Sequence, residues 1–259
     1  MARKVVITSG KGGVGKTTIT ANLGLSLAKS GYRVMLIDGD MGLNNLDVIT
    51  DVDDKIVYDL IDVLNGKCRA KQALIQSPIS KNLFVMPCAH SLSQTEITSG
   101  RLKLEMENLD SLFDYIFIDC PAGIEVGFHR AVSLADEGIV VVTPNIASIR
   151  DADKVISILK SYKLNSIKII VNRIRGDLVM QKETYSHEDI VSILKVELLG
   201  IIPEDDEFIK GLVDIPSEAE KAIRLIAKGV LGKMYKPYDY LKKYSGFLGS
   251  IRREIKKRV

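Results

Sequence analysis

Short apolar segments alternate with longer amphipathic segments over most of the 259 residues. Their aliphatic and β-branched content predicts seven strands. These are Lys4–Thr8, Arg33–Ile37, Leu83–Pro87, Tyr115–Ile118, Gly138–Thr143, Ile167–Asn172 and Leu198–Ile202. Several are continuously aliphatic, as in residues 139–142, and such runs are typical of strands buried on both faces of a sheet.

Helical spacing of apolar positions characterises the segments between these strands. The predicted helices are Thr17–Lys29, Val57–Leu64, Leu102–Leu109, Ser148–Ser161, His187–Leu194 and Glu218–Met234, the last ended by Pro237. The alternation predicts an α/β fold with a doubly wound, mostly parallel sheet flanked by helices. Ligands of such sheets bind where the strands end, at their carboxyl edge.

Composition favours a soluble protein of the cytoplasm. Hydrophobic residues make up 46% of the chain and charged residues 27%, which suits one α/β domain with a full core. No apolar run approaches the about 18 residues of a membrane span, and the first strand follows the N-terminus too closely for a secretory segment. Cys68, Cys88 and Cys120 lack metal-binding spacing and are predicted to be reduced thiols.

A glycine-rich loop follows the first predicted strand and carries the strongest chemical signal. Residues 10–17 match G-x-x-x-x-G-K-[ST], with a strand before and a helix after, as a phosphate-binding loop requires. Such loops point backbone N–H groups at phosphate, while Lys16 places a charge on it and the Thr17 hydroxyl ligates Mg²⁺. The predicted nucleotide-binding residues here are Lys11, Gly12, Gly13, Val14, Gly15, Lys16, Thr17 and Thr18.

Lys11 is a second lysine inside this loop. One interpretation is a solvated surface lysine. The other comes from a resemblance to the deviant Walker A ATPases, whose K-G-G-V-G-K-T pattern is matched from Lys11 to Thr17. In that family the extra lysine reaches the nucleotide of a partner subunit across a face-to-face dimer, which would make nucleotide binding and dimerisation one event.

Carboxylates end two further predicted strands. Asp38 and Asp40 lie on one side by strand alternation, so Asp38 is predicted near the metal and Asp40 is predicted to orient or deprotonate water. Turn chemistry is the alternative for this Asp-Gly-Asp segment. Asp119 ends an apolar strand as in a Walker B motif and is predicted to hold Mg²⁺, and Gly123 is predicted to approach the γ-phosphate.

The base preference rests on weaker signals. The N-K-x-D motif of GTP-binding proteins is absent, and the corresponding strand ends in Asn172 and Arg173. Asn172 is predicted to bond an adenine edge and Arg173 to stack on the ring, unless Asn172 simply ends a strand. The turn at Pro203 and Glu204 is predicted to cover the base from the other side.

Six blocks together resemble the septum-site-determining branch of these ATPases over nearly the whole chain. They are GKGGVGKTT, IDGDMGLNNLD, VYDLIDVLNG, DYIFIDCPAGIE, SIRDADKVISIL and LLGIIPED. The resemblance implies ATP and Mg²⁺ as cofactors, Lys11, Lys16 and Asp40 as catalytic residues, and slow hydrolysis stimulated by a partner. Asn44 departs from the arginine usual in the family, and Val213–Ala219 lacks its G-x-P-V arrangement.

The same resemblance implies an ATP-dependent homodimer and two kinds of protein partner. One is a septum-inhibitor protein, recruited through a surface near Ser148–Lys160 that includes Asp151 and Asp153. The other is a topological-specificity or activating protein, or a polar scaffold. Asp151 also resembles the carboxylate that the family places near the lysine inside the loop.

The C-terminal residues combine an apolar stripe with basic charge. Phe247, Leu248, Ile251 and Ile255 recur at helical spacing opposite arginines and lysines. The residues from 242 to 259 carry a net charge of +6, against +3 for the whole chain, so the remainder carries −3. This pattern predicts an amphipathic helix that binds anionic lipids at the cytoplasmic face of the cell membrane. The predicted divisions are an ATPase domain (1–235), a tyrosine-rich linker (236–245) and this membrane-targeting helix (246–259).

Other functions stay open at this point. The tail also suits a solvated basic extension, or a DNA-binding arm as in ParA-type partition ATPases. Phosphate contacts need only lysine and arginine, so the apolar stripe favours a membrane and no specific nucleic acid is expected. A flagellar-number ATPase of the same family is a further alternative, although it normally carries a glutamine-containing extension before the loop.

Overall fold

The computed structural model describes residues 1–39, 45–88, 99–209, 211–212 and 216–245. Within these ranges a single sheet of eight strands has the order β3-β4-β2-β5-β1-β6-β7-β8. The strands are β1 (Arg3–Thr8), β2 (Val34–Asp38), β3 (Ile75–Gln76), β4 (Leu83–Met86), β5 (Tyr115–Asp119), β6 (Glu137–Val142), β7 (Ser166–Ile174) and β8 (Glu197–Pro203). Only the β3–β4 pair in this sheet is antiparallel.

Helices cover both faces of the sheet. They are α1 (Lys16–Lys29), α2 (Leu46–Ile49), α3 (Leu60–Leu64), α4 (Ala70–Ala73), α5 (Ser99–Leu109), α6 (Val126–Ser133), α7 (Ile146–Leu159), α8 (Gly176–Met180), α9 (His187–Leu194), α10 (Asp206–Ile209) and α11 (Glu218–Val230). None of the helices in the described ranges has both the length and the hydropathy needed to cross a bilayer.

Two apolar cores lie on opposite faces of the sheet, and the alternation of side chains along each strand divides them. On β1, Val6 belongs to the core under α3, α5, α6, α7 and α9, whereas Val5 and Ile7 belong to the core under α1 and α11. Strands β2 and β5 are buried throughout, because helices cover both of their faces. This arrangement brings the carboxyl ends of β1, β2 and β5 together at one edge.

The predicted doubly wound, mostly parallel sheet is confirmed, and each predicted strand lies within two residues of an observed one. The two-residue edge strand β3 was not predicted, because it is too short to show a pattern. The helix predicted from Val57 begins at Leu60, since the Asp59 carboxylate accepts the Asp62 N–H at 2.9 Å and caps it. The helix predicted to reach Met234 ends at Val230, where Gly232 turns the chain with φ 69°.

Residues 235–245, here called the C-terminal strap, pack against the domain. The Tyr235 hydroxyl donates to the Leu199 carbonyl of β8, and the Tyr238 hydroxyl donates to the Glu218 carboxylate at the start of α11. The sequence pattern predicts a linker for most of this segment. In the structure, its Tyr235 and Tyr238 side chains contact β8 and α11.

The second half of the strap lies on α8 and α9. Tyr240 is 3% exposed, and its hydroxyl lies 3.0 Å from Nδ1 of His187, the first residue of α9. Burial raises the pKa of the Tyr240 hydroxyl to about 12. Tyr244 is buried against Gly176 of α8, and only glycine fits there without a shift, because an ideal Cβ would lie 2.8 Å from the tyrosine ring.

Candidate nucleotide site

The predicted phosphate loop is the turn between β1 and α1. Gly13 and Gly15 have φ angles of 75° and 94°, which residues with side chains rarely adopt. Gly15 occupies the N-cap of α1 and supplies no side-chain cap. The first N–H groups of α1 therefore face the loop at the positive end of the helix, which is an arrangement suited to an anion.

Lys16 supports this interpretation. The side chain is buried, and among the described residues its ammonium forms no hydrogen bond or ion pair. A Cβ added to Gly13 would meet no atom within 4 Å, so space adjoins the loop. The loop and its lysine thus fit the phosphates of a nucleotide.

Asp38 and Asp119 meet at the edge of the sheet. They are register partners at the ends of β2 and β5, and both are buried. The Gly39 N–H donates to the Asp119 carbonyl oxygen at 2.8 Å, and an ideal Cβ on Gly39 would lie 2.7 Å from that oxygen. The glycine therefore permits the close approach that holds the two carboxylates side by side. Carboxylate oxygens are ligands that suit Mg²⁺.

Two hydroxyl residues that support the site were missed in the sequence. Thr20 Oγ1 lies 3.2 Å from Asp119 Oδ1 and 3.0 Å from the Lys16 carbonyl oxygen, so it joins α1 to β5. Ser9 Oγ donates to the Lys11 carbonyl at 2.8 Å and closes the start of the loop. Thr20 lies one helical turn after Lys16, and this spacing is the signal that could have identified it.

The loop after Asp119 also contacts the phosphate loop. The Gly123 N–H donates to the Ser9 carbonyl at 3.2 Å, and the φ of Gly123 is 87°. Ala122 adjoins Gly12, since a Cβ on that glycine would lie 4.0 Å from the alanine Cβ. The structure therefore brings Gly123 to the phosphate loop, as its predicted role requires.

Asn172 joins the phosphate loop to a second cleft. Its Nδ2 donates to the Val14 carbonyl at 2.8 Å, and an ideal Cβ on Gly15 would lie 2.6 Å from the same nitrogen. Asn172 Oδ1 is buried and has no hydrogen-bond partner among the described residues. The cleft beside it is lined by Gly15, Thr18, Asn172, Arg173, Pro203, Asp205 and Phe208.

The remaining predicted base contacts lie at the rim of this cleft. Arg173 adopts a left-handed conformation with φ 56° as β7 becomes irregular. Glu204 is exposed and lies 3.8 Å from Arg175, which also pairs with Asp177 at 2.6 Å. The Glu204 side chain is thus held toward Arg175, while Pro203 lines the cleft itself.

Lys11 and the predicted partner surface lie on the same side of the molecule. Lys11 is exposed, and the backbone of Asp151 on α7 packs so closely on Gly10 that an ideal Cβ there would overlap the Asp151 carbonyl carbon. The Asp151 carboxylate lies 3.6 Å from the Lys154 ammonium, and Asp153 is exposed. The structure therefore places α7 directly beside the phosphate loop.

Several predicted positions lie outside the described residues. They are Asp40, Asn44, residues 213–215 of the departing segment, and the tail residues Phe247, Leu248, Ile251 and Ile255. Their assigned roles stay predictions.

Comparisons with known proteins agree with this geometry. A family model described as an AAA domain matches residues 2–173. The septum site-determining protein MinD of Bacillus subtilis is 44% identical over 242 residues, covering 90% of this chain and 90% of that protein. The chain belongs to the MinD family of septum-site-determining ATPases. The family resemblance seen in the sequence is confirmed.

Two solved MinD structures extend this result. The MinC:MinD cell division protein complex of Aquifex aeolicus has a TM-score of 0.85 and 42% identity, covering 92% of this chain and 99% of that one. MinD of Pyrococcus horikoshii complexed with Mg-ADP has a TM-score of 0.79 and 31% identity, covering 89% and 96%. The chain is thus a MinD-family P-loop ATPase of septum-site determination, and ATP and Mg²⁺ are its cofactors.

Proposed function

We propose that this chain is a membrane-cycling ATPase that dimerises on ATP and positions the division septum. ATP closes a homodimer across Lys11, and the paired tails bind the cytoplasmic face of the cell membrane. The bound dimer recruits a MinC-like septum inhibitor. A MinE-like activator or a polar scaffold accelerates an otherwise slow hydrolysis. The observation that carries the proposal is the pairing of Asp38 with Asp119 at the ends of β2 and β5, together with the buried Lys16 at the start of α1.

Residues from different strands, helices and loops bind the phosphates, the metal and the attacking water in the proposed site. Lys16 and the N–H groups of the loop bind the phosphates, while Thr17, Asp38 and Asp119 hold Mg²⁺. The metal supplies positive charge that stabilises the negative charge of phosphoryl transfer. Asp40 orients the attacking water, and the partner's Lys11 adds a second positive charge. An ammonium supplied by a second subunit makes hydrolysis depend on assembly.

The geometry around Asn172 supports adenine as the base. Its buried Oδ1 is an acceptor, and the exocyclic amino group of adenine is a donor. A guanine presents a carbonyl at that position, which would leave two acceptors facing each other. Arg173 lines the same cleft and stacks on the ring.

Exposed apolar side chains beside the phosphate loop support the dimer. Ile124 and Val126 follow the Gly123 loop, and Ile146 begins α7 next to the Gly10–Asp151 contact. They are 44%, 63% and 55% exposed respectively. Because large apolar side chains that cluster at the surface commonly mark interfaces, this face suits a second copy of the chain. The exposed Asp153 on α7 extends the same face toward an inhibitor protein.

Membrane attachment follows from pairing two weak tails. Each apolar side chain of the stripe contributes about 1.5 kcal/mol on insertion, and each nearby basic residue about 1 kcal/mol at an anionic surface. Ordering the tail opposes most of this gain. A dimer presents two tails, and the second binds at an effective concentration of about the mM range. Dimerisation therefore controls attachment.

Sedimentation with anionic vesicles tests the proposal. The full chain is mixed with phosphatidylglycerol vesicles with ATP, with ADP or without nucleotide. We expect the chain to sediment with the vesicles in the presence of ATP but not with ADP or without nucleotide. The Leu248→Glu variant should lose this ATP-dependent binding. The matched control is Leu104→Glu, which places the same charge on the exposed face of α5.

Two outcomes would contradict the membrane role. One is equal sedimentation in all three nucleotide conditions. The other is absence of vesicle binding combined with ATP-dependent retention on DNA, which would move the chain to the ParA-type partition function.

A further inference from the structure

We propose that Asp205 is a positioning residue that sets the base preference of the nucleotide site. It follows β8 and lines the cleft beside Asn172. Its carboxylate holds one part of the cleft, formed by Pro203, Asp205 and Phe208 and here called the α10 wall, in a fixed place relative to Asn172. The proposal rests on the proposed contact between Asn172 and adenine, and it names the group that keeps this contact selective.

Two separate parts of the chain form the cleft. The phosphate loop, α1 and β7 supply Gly15, Thr18, Asn172 and Arg173, whereas the α10 wall follows β8. Asn172 is fixed by its hydrogen bond to the Val14 carbonyl at 2.8 Å. Because hydrogen bonds weaken steeply with poor distance and angle, Asn172 discriminates between bases only when the base is held in one position. The place of the α10 wall therefore decides whether Asn172 can select adenine.

The Asp205 carboxylate ties the α10 wall to two helices. Its Oδ1 accepts the Glu207 N–H of α10 at 3.1 Å, and its Oδ2 accepts the Ala219 N–H of α11 at 3.0 Å. It also accepts hydrogen bonds from the Phe208 N–H and the Ser217 hydroxyl. A carboxylate has about four lone-pair sites, so these donors occupy it, and the side chain acts on the wall rather than on the base.

Ionisation lets one side chain make all of these contacts. Burial raises the pKa of the Asp205 carboxyl, but hydrogen bonds from the Ala219 backbone and the Ser217 hydroxyl outweigh burial and lower this pKa below its ordinary 3.8. The group is therefore ionised at neutral pH and accepts through both oxygens. An asparagine of the same size would turn an amide N–H toward these donors and leave some of them without an acceptor.

The α10 wall is also held at points farther along the chain. Phe208 is 5% exposed and packs in the core under α1 and α11. Beyond it, the Gly211 carbonyl accepts a hydrogen bond from Nδ2 of Asn22 on α1 at 3.0 Å. Loss of the Asp205 contacts should therefore shift the wall beside the base without unfolding α10.

Equilibrium binding of ATP, GTP and inorganic tripolyphosphate to the full chain tests this role. We expect the wild type to prefer ATP over GTP. Asp205→Asn should lower the ratio of ATP affinity to GTP affinity about tenfold, as expected when hydrogen bonds to a charged group are lost. The affinity for tripolyphosphate, which carries no base, should stay at the wild-type value. A residue that merely stabilised the domain would not change the base preference while sparing phosphate binding.

Two matched controls separate the cleft from its surroundings. Asp206→Asn makes the same change at the exposed neighbouring residue of α10. Tyr238→Phe removes the hydrogen bond from the strap to Glu218 in the first turn of α11. Both variants should keep the wild-type ratio of ATP to GTP affinity.

A second variant keeps the role testable without Asp205→Asn. Ser217→Ala removes one donor to the Asp205 carboxylate and should lower the ratio of ATP to GTP affinity about threefold. If Asp205→Asn does not fold, an unchanged ratio in Ser217→Ala overturns the proposal.

Three further results would overturn it. Asp205→Asn could keep the wild-type ratio, or lose tripolyphosphate affinity as strongly as ATP affinity, or change the ratio no more than the two controls do. The wild type distinguishes this failure from failure of the proposed function. A wild type that binds ATP and GTP equally would remove the adenine contact of Asn172 itself, whereas a selective wild type with an equally selective Asp205→Asn would overturn the role of Asp205 alone.

Discussion

The phosphate loop and the C-terminal strap are stabilised in opposite ways. The loop combines left-handed glycines with a buried Lys16 that has no ion-pair partner among the described residues. The strap satisfies three of its tyrosine hydroxyls with groups of the domain, namely Leu199, Glu218 and His187. The first region presents backbone N–H groups and a cation suited to an anionic ligand, whereas the second forms its hydrogen bonds within the chain. A change in the loop should therefore alter binding, and a change in the strap should alter stability.

The largest effect is expected for Lys16→Ala. Loss of the only charge buried in the described part of the loop should weaken ATP binding about a hundredfold, which corresponds to about 2.7 kcal/mol. Fluorescent-nucleotide titration measures it. Lys29→Ala in the last turn of the same helix is the control and should bind normally. Tight ATP binding by the first variant would remove Lys16 from the site.

Asp119→Asn should separate metal binding from folding. The amide oxygen can still accept a hydrogen bond from Thr20, so the protein should stay folded. The affinity of the nucleotide complex for Mg²⁺ should fall about tenfold, because a neutral amide replaces the ligating carboxylate. Titration of nucleotide affinity against Mg²⁺ measures this change. Asp114→Asn, at the other end of β5, should not alter it. An unchanged Mg²⁺ dependence in Asp119→Asn would contradict the assigned ligand.

Gly176→Ala tests the strap as a packed part of the domain. The new Cβ would overlap the Tyr240 carbonyl oxygen, so the strap must shift, and we expect a loss of about 1–3 kcal/mol in the free energy of unfolding. Chemical denaturation measures it, with nucleotide affinity unchanged. Gly100→Ala on α5 meets no atom within 4 Å and should not destabilise the protein. Equal stability of both variants would show that the strap does not contribute.

The smallest effect is expected for Tyr238→Phe, which removes the hydrogen bond to Glu218. The expected loss in the free energy of unfolding at neutral pH is about 1 kcal/mol. Hydrogen bonds from Lys221 and Tyr238 lower the pKa of the Glu218 carboxyl from its ordinary 4.5. Because this pKa is lower in the folded protein, ionised Glu218 stabilises the folded state at pH values above 4.5. The stabilisation is lost as the pH falls through the pKa of Glu218 in the folded protein.

The difference between wild type and Tyr238→Phe should therefore shrink in acid. Denaturation at neutral pH and at about pH 3.5 measures this dependence. Tyr32→Phe, a half-buried tyrosine that packs edge-on against Tyr115, is the control. A difference that grows in acid would show that the hydroxyl does not act through the ionised Glu218.

The same two regions show how far the sequence could be interpreted. The strands and the phosphate loop were predictable because their signals are local, lying within short runs such as Lys11–Thr17. The bond from Asn172 to Val14 joins residues 158 positions apart, and only the fold brings them together. The docking of the strap depends likewise on Gly176, which carries no motif. Tyrosines after a helix are compatible with either a linker or a packed segment.

The position of Tyr235 has a consequence for solubility. Strand β8 ends the sheet, and its outer edge would offer unpaired backbone groups to any extended chain. The Tyr235 hydroxyl donates a hydrogen bond to the Leu199 carbonyl of this strand, and the Tyr235 ring packs on Gly229 of α11. The strap therefore engages a backbone group of the last strand in the sheet, where another extended chain could otherwise pair.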